Sequence, residues 1–516
     1  MTYDYDKDLR SIQEVRNKVA LAKSAQKKFS GYSQERVDAV AAAMCAAGER
    51  HAVSLAKMAK EETGYGRWQD KVMKNTFAAR MVHDAIRDMK TVGVLREDRE
   101  NRIVDIAVPV GVIAALIPST NPTSTVIFKA LIGLKAGNAL VFSPHPTAVR
   151  CICETVRILN EAAVRAGAPE GLLNCLAIPT MGGTNALMTH RDVSLILATG
   201  GEGMVRAAYS SGTPAIGVGP GNGPAFIERS ADIPTAVRHI LESKTFDNGV
   251  ICASEQAVVV EQEIREAVIA EMRRQGFYFL CEEASEKLGR FLLRPNMTMN
   301  PAIVGKDAQE LATLAGLAVP ADAKVLVSHQ DSVSHENPYS REKLTTVLAF
   351  YTEPGWERAC LRCLEILGNE GKGHTMTIHS RNEAVIREFA LKKNVSRLLV
   401  NTPAALGGIG ASTNLFPSLT LGCGAVGGSS TSDNVGPMNL LNIRRAAYGV
   451  RETADLAGNA PGALPASASY ASSLSPAPDG LINIEDLLRA VSGPAEQGKT
   501  EQPGVEDLVR MVMKGA

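Results

Sequence analysis

The sequence predicts an α/β fold built on a parallel sheet. Between about residues 110 and 210, short apolar runs alternate with segments of helical period at the spacing of βαβ units. A second stretch of the same texture runs from about 250 to 420. Apolar residues make up 45 % of the chain and charged residues 21 %, an ordinary balance for a soluble α/β protein. With 516 residues there is chain enough for roughly three domains' worth of core.

Residues 8–95 read as helices. In SIQEVRNKVALAKSAQKKF and SQERVDAVAAAMCAAGERHAVSLAKMAKEETG, apolar side chains recur at three and four. Ser33, followed by Glu35 and Arg36, marks a helix start. The pattern then changes, and RIVDIAVPVGVIAALIP reads as strand, turn and strand. STVIFKALIGLKAG is a helix closed by Gly137, and NALVFSP is a buried strand. ETVRILNEAAVRAG is helix, LLNCLAI strand, GGTNALMTH a helical turn, VSLILATGG strand and EGMVRAAYSSG helix. AVVV, from residue 257, is a further strand. Beyond residue 459, NAPGALPASASYASSLSPAPDG is rich in Pro, Ala and Ser, has no periodicity and reads as a linker. Two short amphipathic segments follow it.

Lys plus Arg equal Asp plus Glu at 55 each, and the pI is near 7.1. No global basic field draws nucleic acid or anionic lipid. The start, MTYDYDKDLRSIQEVRNK, is charged, unlike a secretory h-region. The longest apolar run, residues 106–118, carries prolines and falls short of the roughly 20 residues a bilayer span needs. A cytoplasmic protein with neither membrane nor nucleic-acid partners is expected. Nine cysteines, an odd number scattered through a large chain, read as reduced thiols rather than a disulfide framework. Cys151 with Cys153, and Cys360 with Cys363, lack a second pair at zinc-like spacing, so no metal site is expected.

Several motifs bear on chemistry. GVGPGNGP, residues 217–224, is not GxGxxG, has no obvious helix directly after it, and alone is weak as a dinucleotide loop. ATGGEGMVRAA is a better phosphate end. There a buried strand runs into Thr199, Gly200 and Gly201 and then a helix N-terminus with free N–H groups, although an ordinary strand–helix turn looks the same. GPAEQGKT, residues 493–500, matches the P-loop pattern formally. An amphipathic helix precedes it where a buried strand belongs and only sixteen residues follow, so triphosphate binding is rejected. Cys252, in TFDNGVICASEQ, follows small and polar residues; read locally, a lone cysteine is a small buried hydrophobe.

Six motifs in order change that reading: PSTNPTS (118–124), VFSPHP (141–146), DNGVICASEQ (247–256), EKLTTVLAFY (342–351), GHTMTIHS (373–380) and FPSLTLGCGAVGGSSTSDNVGPMNLLNIRR (416–445). Through them residues 10–450 resemble the aldehyde dehydrogenase superfamily, and within it the CoA-acylating branch. Two positions depart from close relatives: Ser429 stands where Asn is common, and Thr346 where Pro is usual.

The resemblance implies that Cys252 is the nucleophile, whose thiolate attacks an aldehyde to give a thiohemiacetal. Asn121 and the backbone N–H of Cys252 are implied as oxyanion donors. Hydride transfer to a nicotinamide then leaves a thioester. Hydrolytic relatives carry a water-activating glutamate in ELGGKxP; counting back from Pro224, Val218 takes its place. Valine accepts no proton, so water is a poor acceptor and a thiol a better one. Coenzyme A is thus implied as the acyl acceptor and a short aldehyde, propionaldehyde or acetaldehyde, as the substrate. Ser143 and Pro146 replace the Lys and Glu that hold the adenosine ribose in hydrolytic relatives, which implies a looser adenosine site. Glu342 matches the glutamate that holds the nicotinamide ribose. The dinucleotide, NAD in most of this branch, is implied to lie against Ile117, Pro118, Ser119, Thr120, Ser143, His145, Thr199, Gly200, Gly201, Val218, Gly219, Glu342 and Leu344. Two alternatives stay open: a hydrolytic dehydrogenase, and a scaffold subunit with an idle site.

The implied organisation is 1–245, N-terminal helices and an NAD/CoA-binding domain with an oligomerisation hairpin near 98–112; 246–420, the cysteine domain; 421–458, an oligomerisation arm returning to the first domain; and 459–516, linker and tail. A homodimer or tetramer is implied through the arms. In the tail, IEDLLRAV (484–491) and VEDLVRMV (505–512) read as one amphipathic helix written twice, each too short to be stable alone. Microcompartment enzymes carry similar tails, so the resemblance implies partnership with shell proteins and a place inside a bacterial microcompartment.

Overall fold

The computed structural model describes residues 6–453. The described residues up to Ala447 form one compact unit, and those from Tyr448 on fall outside it. The linker and the paired amphipathic segments lie outside the described residues.

The first unit opens with helices Lys7–Phe29, Gln34–Arg50, Ala52–Thr63 and Trp68–Thr76. Their three-and-four pattern becomes a buried face of Val15, Val19, Val37, Val40 and Met44. Ser33 is the N-cap of the second helix, although its side chain makes no capping bond. The helical stretch stops short of residue 95, because β1 (Gly93–Asp98) pairs antiparallel with β2 (Ile103–Pro109). β1 is half-exposed and charged, so its strand character comes from its partner and not from an apolar alternation. The hairpin therefore spans 93–109 rather than 98–112. Gly111 (φ +125°) redirects the chain after it, and residue 112 already belongs to another sheet.

That sheet is parallel and five-stranded: β3 (Val112–Ile117), β4 (Ala139–Pro144), β5 (Leu173–Cys175), β6 (Val193–Thr199) and β7 (Ala215–Val218) in the order β5-β4-β3-β6-β7. β3 and β4 are buried at every position, as expected of strands covered by helices on both faces. The stretch expected to hold a helical turn forms the two-turn helix Met181–Met188.

The second sheet is also parallel, with seven strands: β8 (Pro224–Ile227), β9 (Ala257–Glu261), β10 (Phe277–Phe279), β11 (Val325–His329), β12 (Val347–Glu353), β13 (Gly373–His379) and β14 (Val395–Val400). Their order is β10-β11-β12-β9-β8-β13-β14. The sheets therefore divide between β7 and β8, not at 245/246. β8 is only four residues long, and its allegiance is set by hydrogen bonds to β9 and β13. Lastly β15 (Leu441–Ala447) pairs antiparallel with β2, completing a three-stranded sheet in the order β1-β2-β15. No described helix is long and apolar enough to cross a membrane.

The five-stranded order places the site. The chain runs outward from β3 through β4 to β5, then returns to β6 on the other flank of β3. A crevice opens outside the carboxyl ends of the strands where the winding reverses.

Candidate active site

Cys252 lies in the irregular segment between helix Ile233–Thr245 and β9. Three left-handed residues precede it: Asp247 (φ 49°), Asn248 (φ 54°) and Gly249 (φ 77°). Two successive non-glycine residues in that region are costly unless their surroundings hold them. The Asp247 carboxylate accepts from Lys71 Nζ at 2.9 Å, Lys74 Nζ at 2.5 Å and the Arg67 N–H at 2.7 Å. Its own N–H donates to Asp70 at 2.9 Å. Asn248 Nδ2 donates to the Gly305 carbonyl at 3.0 Å.

The glycine run 217–224 serves close approach. A Cβ on Gly221 would stand 1.8 Å from the Cys252 carbonyl oxygen, and one on Gly223 2.6 Å from that of Thr375. Only glycine lets the backbone pass this near the nucleophile. Ser429, one of the two departures from close relatives, donates its hydroxyl to the Gly217 carbonyl at 2.8 Å. Thr346, the other, donates to Lys306 O at 3.3 Å.

Asn121 is the N-cap of helix Pro122–Lys135, but its side chain makes no capping bond. Its Oδ1 instead accepts from Lys74 Nζ at 2.7 Å. That ammonium, almost wholly buried, spends its three protons on Asn121, Asp247 and the Val250 carbonyl (2.8 Å). Burial lowers the Lys74 pKa to about 8 while Asp247 opposes the shift, so the cation persists at neutral pH. With Oδ1 committed, the amide N–H₂, which reaches Thr120 Oγ1 at 3.4 Å, keeps a proton for the cavity, and the ammonium polarises it into a stronger donor.

Burial, with Glu342 and Cys423 nearby, pushes the Cys252 thiol up to about 12 against the pull of Arg397. Burial and Glu370 push Glu342 up to about 8; its Oε1 accepts the Gly221 N–H at 2.8 Å. Cys252 therefore rests as a thiol at neutral pH, and its thiolate fraction grows with pH. Alkylation of Cys252 by iodoacetamide, followed by peptide mapping, is expected to accelerate about tenfold per pH unit from about pH 7 to 10. A plateau reached below about pH 8 would contradict this protonation state.

All fifteen residues singled out from the sequence line one cavity of about 480 Å³. The end of β3 brings Ile117, Pro118, Ser119, Thr120 and Asn121; β4 brings Ser143 and His145. The end of β6 brings Thr199, Gly200 and Gly201; β7 brings Val218 and Gly219; Cys252, Glu342 and Leu344 close the site. Dinucleotide binding fits this crevice. Among the described residues the buried Thr199 hydroxyl has no partner, and helix Glu202–Ser210 begins at Gly201 without a side-chain cap. Ser143 is tied to the Thr184 hydroxyl at 3.1 Å. Val218, buried at the end of β7, presents only methyl groups.

Reading the sequence missed Lys71, Lys74 and Asp247, which hold the turn and the amide. The available signal was a pair of lysines three apart in WQDKVMKNT, both on the buried face of their helix. It also passed over His374 on β13. Burial and Arg397 hold this imidazole down to about 3, hence neutral. Its Nδ1 contacts Thr375 Oγ1 at 3.0 Å, and its buried Nε2 has no partner among the described residues.

A thiol and an oriented amide at the reversal point of a parallel sheet define a class: enzymes that hold a carbonyl covalently beside a dinucleotide. The chain belongs to the aldehyde dehydrogenase family, whose family model matches residues 9–342. It is 63 % identical to a probable aldehyde dehydrogenase of Listeria monocytogenes EGD-e, with a TM-score of 0.87 over 88 % of this chain and 100 % of that one. An acetylating aldehyde dehydrogenase of Geobacillus thermoglucosidasius is 52 % identical, with a TM-score of 0.85 over 87 % and 99 %. The bifunctional aldehyde-alcohol dehydrogenase of Escherichia coli K12 is 45 % identical over 85 % of this chain. The chain spans about half the length of the curated relatives it matches first, 50 % in that case. Two propionaldehyde dehydrogenases are more distant. One, from the Clostridium phytofermentans fucose utilisation bacterial microcompartment, is 29 % identical (TM-score 0.77, covering 84 % and 97 %). The other, from Rhodopseudomonas palustris with bound CoA and an acylated cysteine, is 26 % identical (TM-score 0.76, covering 84 % and 97 %).

Proposed function

We propose that this protein oxidises a short-chain aldehyde to an acyl-CoA through a thioester on Cys252. The observation that carries the choice of acceptor is Val218. A hydrolytic enzyme needs a base there to activate water, and valine supplies none. Glu342, the carboxyl group whose charge bears on Cys252, is largely protonated at neutral pH. The R. palustris neighbour, with CoA and an acylated cysteine, supports a thiol acceptor.

Cys252 first gives its thiol proton to water; Sγ then adds to the aldehyde carbonyl, and the oxygen takes up negative charge against the Asn121 amide and the Cys252 N–H. When bound, NAD supplies the hydride acceptor. NAD is favoured over NADP because, among the described residues, Lys74 is the sole Lys or Arg lining the cavity, and its protons are already taken. A ribose 2′-phosphate would find no free cation there.

NADH formation with propanal and NAD is expected to be sustained only when CoA is present. Without CoA, at most a burst of about one NADH per active site is expected, as for accumulation of an acyl-enzyme. Continuous turnover to free acid without CoA would overturn the choice of acceptor. No NADH under any condition would favour an idle scaffold. Val218→Glu is expected to open a slow CoA-independent leak.

Two further features belong to this reading. The outer edge of β15 is unpaired among the described residues, which suits addition of a strand from a second copy in a homo-oligomer. The repeated IEDLLRAV and VEDLVRMV segments suit delivery of the enzyme into a protein shell, as does likeness to a microcompartment enzyme. Deleting residues 460–516 is expected to leave catalysis intact and abolish encapsulation beside co-expressed shell proteins. Loss of activity, or unchanged encapsulation, would refute the targeting role.

A further inference from the structure

We infer that Cys153 and Cys175 form a reversible disulfide when the protein meets a small-molecule disulfide of the glutathione type. Cys153 lies on helix Val149–Arg165 and Cys175 at the end of β5. Their sulfurs are 3.0 Å apart and hydrogen-bonded. A disulfide needs about 2.05 Å, so closure moves the sulfurs by only about 1 Å.

Both thiols are half-buried and line a second cavity of about 620 Å³, shared with Lys18, Arg157 and Arg165. None of the residues lining the Cys252 cavity lines this one. An oxidant therefore has room to enter without passing through the catalytic site.

The two sulfurs have different roles. The hydrogen bond between the two sulfurs, helped by Lys18, favours the thiolate at Cys153; burial and the carboxylates of Glu14 and Glu62 oppose it. The same hydrogen bond, with burial, keeps the proton on Cys175. The Cys153 thiolate attacks one sulfur of the small disulfide, forming a mixed disulfide and expelling a thiolate. Cys175 then loses its proton and attacks the Cys153 sulfur, expelling a second thiolate. Two protein thiols are oxidised by two electrons, and one disulfide is reduced to two thiols. Cys252 is pushed the other way, up to about 12, so the pair is oxidised before the nucleophile.

The test uses the full-length reduced enzyme. It is treated with oxidised glutathione, blocked at acid pH, and read by intact mass, tryptic mapping and the CoA-dependent NADH assay. The expected product has lost two hydrogens, links the Cys153 peptide to the Cys175 peptide, reverts with dithiothreitol, and still turns over. Cys175→Ser is expected to trap a glutathione adduct on Cys153, and Cys153→Ser to remove the link. A wild-type product that carries only adducts, that links Cys175 to Cys151, or that loses activity before the link appears would overturn the inference.

Discussion

Cys252→Ala is expected to abolish turnover, by at least about 10³-fold, while the protein stays folded. The chemistry passes through a covalent bond to one sulfur, and alanine offers no substitute. Cys423, a thiol whose charge bears on Cys252, is buried, pushed up by that burial, and 3.6 Å from the Leu421 carbonyl it donates to. The fold should tolerate the change, because the turn before Cys252 is held by Asp247 and Asn248 and its packing comes from buried Ile251 and Ala253. Turnover and thermal unfolding measured together decide the matter. A variant that keeps a tenth of wild-type turnover would remove Cys252 from the mechanism.

The second large effect is expected at Asn121. Asn121→Ala deletes one oxyanion donor, which costs roughly 10²–10³ in kcat. Lys74→Met leaves the amide in place but removes the ammonium that aims and polarises it, so a loss of about 10–10² in kcat is expected with little change in aldehyde KM. It also strips a partner from buried Asp247, a loss of about 3 kcal/mol or more, so thermal stability should fall. Because Lys74 acts through Asn121, the double variant should be little slower than Asn121→Ala alone. Additive losses in kcat would separate Lys74 from the oxyanion site, and an unchanged kcat in Asn121→Ala would mean that the carbonyl oxygen is held elsewhere.

Much of the fold was legible residue by residue. β3, β4 and β6 stand out as buried apolar runs, and helix Pro122–Lys135 ends where Gly137 takes a positive φ. The residues named from motifs also gather round one cavity, because each sits at the carboxyl end of a strand or on a loop that the sheets bring together. Less legible was β1, whose charged, half-exposed residues carry no strand pattern and which exists because β2 lies beside it. β8 likewise joins the second sheet through partners far along the chain.

The sequence by itself determined the α/β class, the order of elements, and which residue types could do the chemistry: a thiol at 252, an amide at 121 and no carboxylate at 218. The class and order follow from periodicity, a property of residues close together in the chain, and the chemical groups from the resemblance of the motifs to the family. Tertiary structure alone decided what those groups can do. Lys74 reaches Asn121 across 47 residues and Asp247 across 173, and Cys153 meets Cys175 across 22. The protonation of Cys252, Glu342 and His374 depends on burial by segments from both sheets, and desolvation is set by everything packed around a group rather than by its neighbours in sequence.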